Sequence, residues 1–225
     1  RGRMWTQTAL EYPVDSNENP AAAEAVYAGK GKDKVLVYPR ESLNGKIPAG
    51  GLTNPTVFAD GLAIPLGILP YKDGCYAQHG PDIVFLRDTD GDGKADKREV
   101  ILTGFGGVDS DHAVHGVCFG PDGYLYFSNG DTGLDVTDKS GHRVHVGKDA
   151  PHLAASVLRS DLDGNHLELL AGVVRMARGA GRALHGRAAV VSAVPVGQPP
   201  DVLVTRHALR SHRISPVAVA LRAAR

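Results

Sequence analysis

Cysteine is nearly missing from this chain, which carries two in 225 residues, Cys75 and Cys118. Two thiols can form one bridge at most, so a disulfide-stapled fold is excluded. Each sits inside an apolar, strand-like run, where a free thiol behaves as a small hydrophobe, and burial is expected for both. Also missing is a run of roughly 18 apolar residues, the length that reads as a membrane-spanning helix. Net charge is zero, with 25 Lys+Arg against 25 Asp+Glu. That balance removes any global field that would draw nucleic acid or an anionic membrane surface. No Cys-x-x-Cys-His occurs, so covalent haem attachment is not expected in this chain. The sequence opens on Arg1-Gly2-Arg3 with neither an initiator Met nor a secretory h-region, the start expected of a fragment or a processed chain.

What is present is an ordinary globular composition, 42% hydrophobic and 22% charged, long enough for one large domain or two small ones. The zero balance hides an asymmetry. Residues 1–172 hold 24 of the acids and 16 of the bases, whereas 173–225 hold Asp201 alone against nine Arg and no Lys.

Glycine (28) and proline (14) punctuate short apolar runs bounded by Asp-Gly, Pro-Asp-Gly or Asn-Gly, which are hairpin signals. They predict strands at 4–8, 34–38, 55–58, 67–69, 75–78, 83–87, 99–102, 115–119, 124–128, 156–159 and 166–170. No segment before residue 172 keeps a helical period, so the expected class is all-β. A repeat sharpens this: Gly67-Ile-Leu-Pro-Tyr-Lys-Asp73-Gly74 matches Gly116-Val-Cys-Phe-Gly-Pro-Asp122-Gly123 at an offset of 49 residues. A period of about 40–50 residues with several strands per unit is that of propeller blades. Gly2-Arg3-Met4-Trp5 reads as the second strand of a unit whose first strand is missing, and outer hairpins are expected around 34–58, 83–102 and 156–170. The expectation is a partial β-propeller over 1–172, about three blades of a six-bladed ring. Residues 173–225, rich in Ala, Arg and Val and without aromatics, read as an irregular basic tail or a frame-shifted extension, and not as a blade. No nucleic-acid partner is expected for it, because basic residues are not interleaved with aromatic ones.

The chemistry concentrates in two places. The first is Asp88-Thr-Asp90-Gly-Asp92-Gly93-Lys94-Ala-Asp96-Lys-Arg-Glu99. Ca2+ is a hard cation needing six to eight oxygens, so a compact turn must offer carboxylates at alternate positions. Asp88, Asp90 and Asp92 occupy positions 1, 3 and 5, Gly93 permits the sharp turn, Lys94 offers its carbonyl, Asp96 stands at 9 and Glu99 at 12. The flanks are strand-like, so a structural staple is expected and not a helix-pair sensor. A shorter echo, Asp161-Leu-Asp163-Gly164-Asn165, lacks the later ligands and reads as a turn. The second place is Asp109-Ser-Asp111-His112-Ala-Val-His115. Its two histidines, three apart before a strand, could ligate a metal, act as a general base or cap a loop.

In combination, Arg1–Trp5, 57–62, 88–96, 102–105, His115 and 120–126 resemble the membrane-bound dehydrogenase family. The resemblance implies an N-terminal propeller, often followed by helical repeats and a domain carrying haem c, in an extracytoplasmic, periplasmic or membrane-associated setting. More distantly the sequence is similar to the soluble quinoprotein glucose/sorbosone dehydrogenases, whose general-base His follows an Asp at a fixed distance before Gly-Pro-Asp. Anchored on Gly120-Pro121-Asp122, that pattern puts the base at His112 and its orienting acid at Asp111, and the family's later Gly-Asp at Gly130-Asp131. It implies oxidation of a sugar or related alcohol with pyrroloquinoline quinone (PQQ) as cofactor. Thr132 replaces the family's Gln after that Gly-Asp, and the Arg and Lys residues that hold the quinone belong to later blades. Two other classes stay open on the residues alone: a non-catalytic propeller binding protein or glycan, and a metal-dependent lactonase-like hydrolase.

Overall fold

Alternation of apolar and polar residues sets the strands, since successive side chains point to opposite faces. In the computed structural model of the protein the described residues are 3–12, 19–39, 54–106, 113–130, 133–147, 152–174 and 191–193. They form an all-β fold of antiparallel sheets, none of them closed. The first sheet holds β1 Met4–Gln7, β2 Asp33–Tyr38 and β3 Thr56–Leu62 in that order. The second holds β4 Ile68–Tyr71, β5 Gly74–His79, β6 Asp82–Arg87 and β7 Lys97–Thr103. A five-stranded sheet follows, built from β8 Val114–Phe119, β9 Leu125–Asn129, β12 His152–Ser160, β13 Glu168–Val174 and β14 Val191–Ala193, with β8 and β14 at its edges. Between β9 and β12 the chain inserts the hairpin β10 Leu134–Thr137 and β11 Arg143–Val146.

Two apolar clusters hold these layers together. Val35, Val37, Phe58 and Leu62 of the first sheet pack with Cys75, Ala77, Val84 and Leu86 of the second. The opposite face of the second sheet contributes Tyr76, Ile83, Phe85 and Leu102 to a cluster with Val114, Leu125, Phe127 and Leu158 of the five-stranded sheet and Val136 and Val146 of the inserted hairpin. A strand covered on both faces has no exposed side, which is why β5 is buried at all six positions and reads as a continuous run instead of alternating. Burial pushes the Cys75 thiol up to about 12, so it is an inert structural thiol.

All eleven expected strands are met by observed ones, and the structure corrects the expectation elsewhere. Cys118 is exposed, because it lies on the face of β8 turned away from the second sheet. A short helix, α1 Pro20–Ala25, runs into a π-helical turn at Val26–Lys30. Asn19 caps it by accepting from Ala22 N at 3.1 Å, and Pro20 takes the first turn, where its missing N–H is harmless. Six residues are too few to register a helical period. The hairpin β10–β11 also escaped, since four-residue runs give only two alternations each. Strand β13 runs through Val174 and β14 joins its edge, so the five-stranded sheet crosses residue 172. The rest of the expected tail, 175–190 and 194–225, lies outside the described residues.

The two repeat segments lie side by side, and their hairpins pair alike with one adjustment. A Cβ placed on Gly67 would stand 3.4 Å from Gly116 N, so the two repeat glycines are neighbours. Leu69 pairs with Tyr76 in the second sheet, and Cys118 pairs with Tyr126 in the third. The first members keep the 49-residue offset, whereas Tyr126 stands 50 residues after Tyr76. Strand β8 carries its own irregularity between His115 and Cys118, where Gly116 has a φ of +67°.

Candidate metal centre

The acidic loop joins β6 to β7, beyond the last pair Arg87–Lys97. Its base is closed by Asp88 N donating to Asp73 O at 2.9 Å and Asp96 N to Arg87 O at 2.9 Å. Within it, Asp88 accepts from Gly91 N (2.7 Å) and Gly93 N (2.9 Å), Asp90 from Asp92 N (3.1 Å), and Asp92 from Lys94 N (2.8 Å). Such side-chain-to-backbone bonds are the short-range alternative to a ladder that Asp offers in turns. Gly91 and Gly93 take φ of +82° and +89°, a region that an L side chain reaches only with strain.

The result brings three carboxylates together. One oxygen each of Asp88, Asp90 and Asp92 lies within 4.8 Å of the others, Asp88 half-buried and the other two exposed. Each pair of like charges at that range repels by about 1 kcal/mol even in water, and a divalent cation turns the same geometry favourable.

The remaining expected ligands lie apart from this trio. Asp96 accepts from Thr89 N at 3.1 Å and from the Thr89 hydroxyl, and the hydroxyl bond holds its carboxyl below the usual carboxylate range. Glu99 stands on β7 opposite Phe85, 3.9 Å from Lys97 Nζ and 3.7 Å from Lys139 Nζ. A strand advances about 3.3 Å per residue, so β7 carries Glu99 away from the apex, where a helix would turn it back. Lys94 is exposed at the rim.

The loop is anchored beyond its own hairpin. Ala95 N donates to Phe58 O on β3 at 2.6 Å, and the Ala95 side chain packs at the edge of the first apolar cluster. Trp5, the single tryptophan, sits edge-on against Phe58 with ring centroids 4.8 Å apart.

Two further Asp turns share a smaller design. Asp161 N donates to Asn165 O, and Asp138 N to His142 O, each closing a five-residue hairpin turn. The echo at 161–165 is therefore the turn its sequence suggested. Asp138 was not singled out by sequence, yet it is 5% exposed. It accepts from Ser140 N, the Ser140 hydroxyl, His142 N and, across to the next hairpin, Leu167 N. Burial alone would push its carboxyl up, but these bonds outweigh it and hold it far below the ordinary range. The Asp138-Lys-Ser-Gly turn between two alternating runs was the available signal.

At the second constellation, Asp111 and His112 lie outside the described residues, as do Asp109 and Asp131. What is described is their frame. Ala113 is buried and its carbonyl accepts from Gly130 N at 3.0 Å, fixing the start of β8 beside the end of β9. His115 is half-buried, and its carbonyl accepts from Ser128 Oγ at 3.0 Å. Asn129 reaches Gly133 O at 3.0 Å. Asp122 in the Gly-Pro-Asp-Gly turn accepts from Tyr126 OH at 2.7 Å and from Arg159 Nη1 at 2.9 Å, and Arg159 also pairs with Glu168 at 2.8 Å. The turn is thus a clamp across β9, β12 and β13.

A family model described as "Domain of unknown function (DUF7133)" matches residues 1–222, and the chain belongs to that family. No curated protein and no solved structure matches it. Among the described residues no helix is long and apolar enough to cross a membrane.

Proposed function

We propose that this chain is part of an extracytoplasmic β-propeller of the quinoprotein-dehydrogenase kind, about three blades of a six-bladed ring, with Ca2+ bound at its β6–β7 loop. The propeller is supported by three successive sheets that pack face to face and by repeat glycines that meet across two of them. The cation rests on one observation, the convergence of Asp88, Asp90 and Asp92 within 4.8 Å at a hairpin apex. Those three would hold the ion, and Ca2+ would supply the positive charge that neutralises them. With Asp96 engaged by Thr89 and Glu99 by two lysines, the Lys94 carbonyl and water are the further oxygens available. The role is a staple, fixing the loop whose Ala95 grips β3. Thermal unfolding tests it. Ca2+ should raise the melting temperature by linkage to the folded state, Asp92→Ala should abolish the rise, and an unchanged wild-type melting temperature would reject the site.

In the intact protein His112, oriented by Asp111, is proposed to take the hydroxyl proton of a sugar or related alcohol. PQQ does not fit this chain alone, because nothing in it matches the Arg and Lys residues that hold the quinone in the similar dehydrogenases. Haem c, if carried, belongs to a separate domain. Quinone-dependent dye reduction by a longer protein containing these residues separates this reading from a binding propeller or a lactonase.

A further inference from the structure

His79 ends β5 and is 3% exposed, and both its ring nitrogens are used. Nδ1 accepts from Ala63 N at 3.1 Å, and Nε2 lies 2.7 Å from the Tyr27 carbonyl, to which it donates. This pattern demands the neutral ring with its proton on Nε2. The Ala63 bond holds the connection between β3 and β4 at a costly place. The next residue, Ile64, is β-branched, fully buried and has a φ of +41°, a conformation such residues avoid. Ile64 N is fixed by Asp33 Oδ2 at 3.0 Å and Leu66 N by Gln78 Oε1 at 3.2 Å, so His79 is one of three side chains pinning that bend. Over the ring lies the helical segment. The Tyr27 ring covers Gly80 so closely that a Cβ there would meet Tyr27 Cδ1 at 2.4 Å.

We propose that His79 is an acid-sensitive latch: when its ring takes a second proton it loses Ala63, and the cover formed by α1 and the π-helical turn lifts from the β3–β4 connection while the sheets stay paired. A doubly protonated ring presents a donor to the Ala63 donor, leaving a buried N–H without an acceptor. The charged groups around it come from two strands. Arg98 on β7 places Nη1 3.5 Å from Nε2, with its other nitrogen on the Asp60 carbonyl, and opposes a second cation. Asp82 on β6 favours it, as does the Tyr27 carbonyl, but burial acts more strongly, and the ring stays neutral below the ordinary histidine range. Hydrating the charge then requires moving the element that, among the described residues, is not hydrogen-bonded into a sheet, which is the cover.

Hydrogen exchange on the full chain at about pH 7.5 and about pH 5, corrected for intrinsic rates, tests this. Amides of 21–30, 62–64 and 66 should lose roughly tenfold or more of their protection at the lower pH, while those of 83–86 keep theirs. His79→Gln can accept from Ala63 and donate to Tyr27 without titrating, so its protection should not depend on pH. Equal protection in the wild type at both values, loss spread over every sheet, or pH dependence persisting in His79→Gln would each overturn the latch. If His79→Gln does not fold, the wild-type ring titration decides: a His79 midpoint below the ordinary value, with a concerted shift of the Ala63 amide, supports it, and a midpoint at or above that value refutes it.

Discussion

Ala95 N donates to Phe58 O at 2.6 Å, joining the acidic loop of one sheet to a strand of the next. The contact makes the loop more than a solvated turn. Whatever fixes 88–96 also fixes how β3 lies on the second sheet, and Trp5 reports it, because its ring rests on Phe58.

A change in tryptophan emission on adding Ca2+ is therefore expected, from the lone indole and without labelling. It should be absent in Asp92→Ala. Calorimetric binding without any change in Trp5 emission would mean that the loop and β3 are not mechanically linked.

Asp138 gives a pH-dependent prediction. Its folded carboxyl is held below the ordinary range, so its contribution is full above an unfolded value of about 3.9 and is lost as pH falls toward the folded one. Asp138→Ala should cost about 1–3 kcal/mol at neutral pH, the usual penalty for leaving buried donors unpaired. Below about pH 3 the gap to wild type should shrink. Urea unfolding of both proteins across that range measures it, and a gap that widens with acid would contradict the assignment.

Much of this was legible because turns announce themselves. Asp73-Gly74 and Asp122-Gly123 both mark hairpins, yet for different reasons. A Cβ at Gly74 would come within 2.0 Å of Leu86 O, whereas Gly123 faces open space but has a φ of +84°. Sequence shows the glycine and not which constraint it meets. The spacing of Asp88, Asp90 and Asp92 placed three carboxylates together as expected. Glu99 was not brought to them, since the twelve-residue spacing assumes a helix after the loop and a strand follows. Cys118 looked as apolar in its run as Cys75 does, and only the stacking order of the sheets decides which face is covered.

Under the proposed function, His112 is the general base of a longer protein that contains these residues. His112→Ala should lower kcat on the order of 10²–10⁴, the worth of a positioned general base, with Ca2+ affinity unchanged. His115→Ala is the contrast. Half-buried on β8, it should affect stability more than turnover. A quinone-loaded protein that keeps its turnover without His112 has its base elsewhere.

Titration calorimetry of the chain with Ca2+ measures the proposed cation at Asp88, Asp90 and Asp92. One saturable site per chain is expected, lost in Asp92→Ala and weakened less by Glu99→Gln, because Glu99 is drawn to Lys97 and Lys139. No heat of binding at millimolar Ca2+, or a site that survives Asp92→Ala unchanged, would contradict it.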